Sequence, residues 1–219
     1  MTADAPMRGQ RIVVSAGPTF EDIDPVRFIG NRSSGKMGFA IAAAAARRGA
    51  EVVLVAGPVA LATPAGVERV DVRSAAQMHV AVLAALPADA YIGAAAVADY
   101  TPARHSPAKL KKRDGLLTLE LVPTRDILAD VAVHPLRPRL LLGFAAETDN
   151  VEAYARGKLD AKKLDLIAAN RVGVAGGGFE SDDNALVVYW SGGGERPLGP
   201  APKTRLAEQL LDLIAPRLR

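Results

Sequence analysis

Runs of apolar, β-branched residues alternate with helical patterns along most of this chain. Ile12 to Ser15 reads as a first strand and Val52 to Ala56 as a second. Between them, Gly35 to Arg48 (GKMGFAIAAAAARR) is apolar nearly all round and stops at Gly49, which predicts a helix buried against a sheet. Val67 to Val72 predicts a third strand and Ser74 to Leu86 a helix with Ser74 as its N-cap. Ala90 to Ala94 predicts a fourth strand. Further on, Leu140 to Ala145 and Leu166 to Ala169 read as strands around a helix near Val151 to Lys163. Leu186 to Trp190 reads as a strand closed by the glycine-rich turn Ser191 to Gly194. The last helix, Lys203 to Leu218, places Leu206, Leu210, Leu213 and Ile214 on one face. Strands alternating with helices predict an α/β fold, a Rossmann-like doubly wound, mostly parallel sheet with helices on both faces. No internal repeat or low-complexity linker divides the chain, so one domain is expected over residues 11–219, after a flexible N-terminal segment of residues 1–10.

One stretch breaks the alternation. Tyr100 to Asp114 (YTPARHSPAKLKKRD) is polar and carries two prolines, with Lys109, Lys111, Lys112 and Arg113 near its end. Leu116 to Val122 then alternates apolar with polar residues as an edge strand does. This predicts a basic flap after the fourth strand. Ligands in such sheets bind beyond the carboxyl ends of the strands, so the flap is placed where it can matter. A solvated hairpin without function has the same pattern.

Composition narrows the chemistry. Among the 219 residues, 27 Lys and Arg stand against 24 Asp and Glu, a net charge of only +3 with the signs interspersed. The basic groups (the flap, then Lys158, Lys162 and Lys163) have few aromatics among them, so base stacking is poorly provided for and no nucleic-acid partner is expected. Attraction of a small anion is the simpler reading. There is no cysteine, which excludes disulfides, thiolate zinc sites and thiol nucleophiles. The opening MTADAPMRGQ has no apolar core of a signal peptide, and no apolar run reaches the ~20 residues of a membrane span. A cytoplasmic protein is expected.

The densest chemistry lies between the first strand and its helix, SAGPTFEDIDPVRFIGNRSSGKMG. Small residues before a helix leave backbone N–H groups unshared at the positive end of its dipole, which makes a phosphate cradle. Two familiar patterns fail there. Gly30 to Lys36 matches G-x-x-x-x-G-K, but Met37 stands where a magnesium-binding Ser or Thr belongs. The dinucleotide fingerprint G-x-G-x-x-G is absent, and the second strand ends in Ala56 and Gly57 with no carboxylate for a ribose.

The run DPVRFIGNRSSGKMGFAIAAAAARRGA, the strand end IGAAAVADY, the SPAKLKK flap and GFAAET together resemble phosphopantothenate–cysteine ligase. In many bacteria that enzyme is the C-terminal half of a bifunctional coenzyme A biosynthesis protein. The resemblance therefore allows a fusion to a flavin-dependent decarboxylase domain in the full-length protein, and equally a ligase made alone. It also implies that the substrates are 4′-phosphopantothenate, L-cysteine and CTP, with Mg²⁺ assisting. The phosphopantothenate carboxylate is activated as an acyl-cytidylate with loss of pyrophosphate, and the cysteine amine then displaces CMP. Such a reaction asks the protein to hold phosphates and stabilise an oxyanion, and it needs no thiol or histidine nucleophile.

The resemblance also assigns residues. Asn31 is the asparagine that holds the acyl intermediate, where its amide can donate to a carbonyl gaining negative charge. By residue type alone, a turn or cap residue is the more usual reading of an asparagine there. Ser33, Ser34, Gly35 and Gly38 form the loop on the nucleotide phosphates. Gly93, Ala94, Ala95, Ala96 and Asp99 form the strand end that holds pantothenate and nucleotide. Lys109 is the flap lysine, brought to the triphosphate on closure. Arg27 reaches the neighbouring subunit's substrate, which implies a homodimer. Thr124, Arg125, Asp126 and Ile127 run along the nucleotide, although the family often has Asn-Pro-Asp where this chain has Thr124-Arg125-Asp126. Phe144 packs on the nucleotide or in the sheet core. Lys158 and Lys162, four apart on one helix face, reach the same ligand or are simply solvated. No metal ligands are singled out, and His79, His105 and His134 are given no role. A nicotinamide-dependent reductase on a similar sheet and a non-catalytic nucleotide-binding protein are the competing readings.

Overall fold

The computed structural model describes residues 5–112, 114–147, 149–171 and 182–218, with the side chain of residue 171 left aside. The chain opens with β1 (Arg11–Ala16), the short strands β2 (Phe20–Asp22) and β3 (Phe28–Gly30), α1 (Lys36–Arg47), β4 (Glu51–Ala56) and β5 (Val67–Asp71). It continues through α2 (Ala75–Ala84), β6 (Ala90–Gly93), β7 (Tyr100–Pro102), β8 (Leu121–Pro123) and α3 (Ile127–Ala132). The last elements are β9 (Leu140–Glu147), α4 (Val151–Ala161), β10 (Leu166–Arg171), β11 (Asp183–Trp190), β12 (Glu195–Pro202) and α5 (Lys203–Ile214), which tightens into a 3₁₀ turn, Ala215–Leu218.

The main sheet has the order β12-β11-β10-β9-β6-β1-β4-β5. Its six strands from β5 to β10 are parallel, while β11 and β12 are antiparallel. Successive strand residues point to opposite faces, and the sequence serves both. Ile12, Val14, Leu54, Ile92 and Leu142 pack under α1 and α5, whereas Val13, Val53, Tyr91, Leu141 and Ile167 pack under α2, α3 and α4. Both faces are therefore covered, and the doubly wound α/β reading holds. Taken in chain order, the parallel strands lie 3-2-1-4-5-6. The winding reverses between β1 and β6, and a crevice opens there beyond the strand ends.

Several elements differ from expectation. β12, over residues given no element from the sequence, contains Pro197, Pro200 and Pro202; it is the edge strand, where prolines are tolerated. α3 has six residues, too few for a visible period, and is started by the Asp126 carboxylate accepting from the Ala129 N–H at 3.1 Å. Of the edge strand expected over Leu116–Val122, only Leu121 and Val122 pair, within the strand Leu121–Pro123 that faces Tyr100–Pro102. Ser74 caps α2 as predicted, within a reciprocal capping box with Gln77. The opening segment is not loose from residue 5 onward. Met7 is fully buried and its N–H donates to the Arg48 carbonyl at 3.0 Å, because an apolar side chain there fills the end of the α1 layer.

Candidate active site

The β2–β3 hairpin separates β1 from α1, so the helix N-terminus is approached by an extended segment rather than by a tight glycine turn. Gly35 enters α1 with φ 74°, a conformation that leaves the first-turn N–H groups uncapped by any side chain. Gly38 lets the helix lie directly on β1, since a β-carbon there would stand 2.4 Å from the Ala16 β-carbon. The result is a helix N-terminus pressed against the end of the central strand, its positive dipole end open to the crevice.

That crevice is a cleft of about 590 Å³. Its floor comes from β1 and β6, where Ser15 Oγ and Tyr91 OH share a hydrogen bond of 2.9 Å. Burial pushes the Tyr91 hydroxyl well above its ordinary range, only partly offset by Ser15, so it stays protonated. One wall is residues 31–38 and another the strand end Gly93–Val97 with Asp99. Residues 124–128 close a third side, and Phe144 to Ala146 with Lys158 and Lys162 the fourth.

The structure thus brings together Asn31, Ser33, Ser34, Gly35, Gly38, Gly93, Ala94, Ala95, Ala96, Asp99, Thr124, Arg125, Asp126, Ile127, Phe144, Lys158 and Lys162. Each side chain has a local reason for its position. The Asn31 amide nitrogen donates to the Val97 carbonyl at 3.0 Å and, at the long distance of 3.4 Å, to that of Ala96. Thr124 Oγ1 donates to the Ala98 carbonyl at 2.6 Å, and its N–H to that of Asp99 at 2.9 Å, which ties the end of β8 to the loop after β6. Phe144 is half-buried and packs against the sheet core while lining the cleft.

Three of the lysines at the cleft are paired with carboxylates. Lys158 pairs with Glu147 at 2.7 Å, Lys162 with Asp126 at 2.7 Å and Lys36 with Asp182 at 2.6 Å. Burial pushes the Asp126 carboxyl up, but hydrogen bonds from Lys162 and from the Ala129 and Leu128 N–H groups outweigh it and hold it below its ordinary range. Partly solvated pairs of this kind are worth about 0–1 kcal/mol each, so a polyphosphate can displace the carboxylates at small cost.

Two predicted residues stand outside the cleft. Lys109 is exposed on the flap, and the flap is fastened to the β2–β3 loop. There Asp24, with 1% of its surface exposed, accepts from the N–H groups of Val26 at 2.8 Å, Arg27 at 2.9 Å and Leu110 at 3.1 Å. Arg27 pairs with the same carboxylate and donates to the Leu110 carbonyl at 2.8 Å. Within one chain, Arg27 is therefore a flap anchor. Its guanidinium, helped by those N–H groups against burial, holds the Asp24 carboxyl far below the ordinary carboxylate range. Arg113 and Thr148, the latter ending GFAAET, lie outside the described residues.

Some lining residues escaped the sequence reading. Ser15 and Tyr91 sit on strands at positions that pattern alone assigns to the core. Lys203 reads as a surface lysine at a helix start, yet it is buried and lines the cleft beside Lys36 and Asn184. His79, for which no partner was expected, meets Asp130 of α3 at 2.7 Å. Among the described residues, no three acidic or imidazole side chains cluster in metal-binding fashion, and no helix is long and apolar enough to cross a membrane.

Comparison with known proteins places these features in a family. Residues 7–218 match the family described as DNA/pantothenate metabolism flavoprotein C-terminal domain. The coenzyme A biosynthesis bifunctional protein CoaBC of Escherichia coli is 51% identical over 210 residues, covering 94% of this chain and 52% of the relative. CoaBC of Bacillus subtilis is 47% identical over 213 residues, 96% of this chain and 52% of the relative. The chain spans about half the length of these curated relatives. The crystal structure of a C-terminal domain of CoaBC, 40% identical, superposes with a TM-score of 0.84 over 99% of this chain and 98% of that one.

Proposed function

Because the chain belongs to the DNA/pantothenate metabolism flavoprotein C-terminal domain family, we propose that it is a ligase joining L-cysteine to 4′-phosphopantothenate at the expense of CTP. The observation that carries this reading is the cleft at the winding reversal. Its walls are formed by three of the four segments that resemble phosphopantothenate–cysteine ligase, with the basic flap alongside. Magnesium would come with the triphosphate as part of the substrate, and the exposed carboxylates lining the cleft that could help to hold it are Asp99 and Asp126.

The first step joins a carboxylate oxygen of phosphopantothenate to the α-phosphorus of CTP. The bond to the bridging oxygen breaks, and pyrophosphate leaves with the electron pair. The open first turn of α1, Ser33 and Ser34 hold the phosphates, and Lys158 and Lys162 exchange their carboxylate partners for the nucleotide. Gly93 to Ala96 let the ligands lie on the strand end without side-chain obstruction. Arg125 and Ile127, with Thr124 and Asp126, flank the nucleotide, and Phe144 packs on it. Flap closure brings Lys109 in and excludes water.

In the second step the cysteine amine attacks the acyl carbon, and CMP leaves as the tetrahedral intermediate collapses. Asn31, held over the strand end through the Val97 carbonyl, turns its weakly engaged N–H toward the oxyanion. Arg27 serves a second copy of the chain in a homodimer. Val26, Phe28, Tyr100, Leu121 and Val122, between 40% and 58% exposed on two adjoining hairpins around Arg27, are the apolar surface that the second copy covers. A fused decarboxylase domain and a cytoplasmic setting belong to the same reading.

The test is purified protein with CTP, Mg²⁺, 4′-phosphopantothenate and cysteine. Pyrophosphate release that depends on phosphopantothenate, with CMP formed only when cysteine is present, supports the assignment. Absence of both from folded protein overturns it.

A further inference from the structure

α3 is a wall of the cleft that cannot hold its own place. A six-residue helix has too few internal hydrogen bonds to persist alone, so its position is set by what it packs on. Its first turn belongs to the cleft, where Ile127 and Leu128 follow Arg125 and Asp126 along the lining. Asp126 caps the helix and pairs with Lys162 at 2.7 Å. The Leu128 side chain lies over Gly93 and Gly143, where added β-carbons would stand 3.1 Å from it. The second turn of α3 belongs to α2. There the Asp130 carboxylate meets His79 Nε2 at 2.7 Å, and among the described residues this is the one side-chain hydrogen bond between the two helices. A carboxylate can only accept, so Nε2 carries the hydrogen. Neither His79 nor Asp130 lines the cleft. His79 is 6% exposed, on a helix whose other inward residues, Met78 and Val82, are apolar and fully buried. An imidazole is unfavourable in that layer unless it is bonded, and a leucine would fill the place more readily. What the histidine adds is a polar tie to α3, whose remaining hold on this face of the sheet is the apolar packing of Ile127, Val131 and Ala132.

We propose that His79 is a positioning residue for the nucleotide: through Asp130 it sets the placement of α3, and with it the cleft wall formed by residues 125–128. This rests on the reading of the cleft as a nucleotide site. Apolar packing is non-directional and lets a short helix slide or turn by small amounts, whereas a short hydrogen bond fixes both a distance and a direction. With the pair intact, Asp126 stays where Lys162 reaches it, and the lysine waits beside the place of the nucleotide. Without the pair, α3 gains freedom about the Leu128 contact, and a nucleotide has to restrict that freedom when it binds. The loss therefore falls on nucleotide affinity. The acyl-transfer step, assigned to Asn31 on another wall, is left as it was.

Steady-state kinetics on wild type, His79→Leu, His79→Gln, Asp130→Ala and the double variant His79→Leu/Asp130→Ala test this, with CTP and cysteine varied in turn. Loss of a hydrogen bond to a charged group corresponds to roughly tenfold to a hundredfold in an equilibrium constant, and part of that reaches the ligand. KM for CTP should rise about threefold to thirtyfold in His79→Leu and in Asp130→Ala, with kcat and KM for cysteine within about twofold of wild type. The double variant should be no worse than either single one, because the two side chains act as one contact. Glutamine carries an amide N–H at about the reach of histidine Nε2, so His79→Gln should recover most of the affinity for CTP. The Asp130 side chain is 44% exposed, so Asp130→Ala decides the matter even where a change at the buried His79 unfolds the chain. An unchanged KM for CTP in Asp130→Ala, parallel losses for CTP and cysteine, or additive losses in the double variant would overturn the proposal. So would glutamine that serves no better than leucine. Any of these in a wild type that forms product removes the role of His79 and keeps the ligase reading. A wild type that forms no product overturns the ligase reading, and the role of His79 with it.

Discussion

The contact between α1 and β1 supports a sharp prediction, because it ties the phosphate cradle to one missing methyl group. Gly38→Ala puts a β-carbon 2.4 Å from Ala16 Cβ, 3.2 Å from Ala16 Cα and 3.4 Å from the Ser15 carbonyl oxygen. Carbon atoms in contact sit about 3.5–4.0 Å apart, so the helix must retreat by roughly 1 Å or more. Ala16 cannot yield, since its Cβ is rigid on a fully buried strand. Overpacking of this kind costs about 1–3 kcal/mol, and the better helix propensity of alanine returns up to about 1 kcal/mol. A net loss of about 1–2 kcal/mol lowers the melting temperature of a chain this size by roughly 2–8 °C.

In the proposed nucleotide site, the same retreat withdraws the first-turn N–H groups from where the phosphates would lie. A displacement of about 1 Å can cost a hundredfold in rate, so KM for nucleotide should rise and kcat fall together. Ala16→Gly in the same chain removes the nearest collision and should restore part of both quantities, a coupling of about 0.5–3 kcal/mol in stability. Differential scanning fluorimetry and pyrophosphate-release kinetics on the wild type, both single variants and the double variant complete the cycle. If Gly38→Ala melts and turns over like wild type, α1 is not seated on β1 as described. If the losses persist unchanged in the double variant, Ala16 is not the obstruction.

Asn31→Asp replaces a donor 3.0 Å from the Val97 carbonyl by an acceptor that repels it, so the amide-forming step should slow by about 10²–10³. Rapid-quench analysis should show the acyl-cytidylate persisting; a lifetime no longer than in wild type refutes the role. Asp24→Asn weakens the clip on Leu110, and tryptic cleavage among Lys109, Lys111 and Lys112 should quicken by about tenfold or more. The Asp24 carboxyl is depressed in the folded state, so its contribution is complete above the ordinary carboxylate range and is lost only as pH falls well below it. Flap protection in wild type, followed by hydrogen exchange, should accordingly stay flat from pH 8 down to about 5, and a loss centred near neutrality would count against the clip. Val26→Asp puts a charge into the apolar surface around Arg27 and should raise the dimer dissociation constant at least tenfold, measured by light scattering across a dilution series; a wild type that is monomeric throughout disposes of the dimer.

The parallel core was legible because its inner strands are apolar on both faces, a pattern that a sheet covered on both sides explains. What escaped was structure made by position rather than by local pattern. β12 is a strand in spite of three prolines because it lies at the sheet edge, a fact about topology that its own residues do not carry. The same holds at the site. Residues 31–38 could be read as a cradle because they precede a helix in a fold whose ligand position is fixed by winding, whereas 93–99 and 124–127 entered the site through the family resemblance. Lys203 could not, since a lysine at a helix start normally faces water. Arg27 was read only toward a second subunit, and its pairing with Asp24 three residues earlier, which ties its own loop to the flap, was not foreseen.

The insertion between β1 and α1 also accounts for the failure of both familiar nucleotide patterns. In a dinucleotide fold a tight glycine turn joins strand to helix, and the turn itself approaches the pyrophosphate. Here the chain leaves β1, builds the β2–β3 hairpin and returns, so α1 keeps its open N-terminus while the approach to it carries side chains. The hairpin is fixed to the body at several points. Arg73 forms a two-point contact with Asp22 and lies over the stacked rings of Phe20 and Phe28, and the buried Glu21 accepts from the Ala75 N–H at 2.8 Å. A hairpin held this firmly delivers Asn31 to the end of β6 with little freedom lost on binding, and its own loop holds the flap through Asp24. One insertion therefore supplies the proposed oxyanion donor and the flap anchor to an open helix N-terminus. That combination suits the proposed activation and transfer of an acyl group.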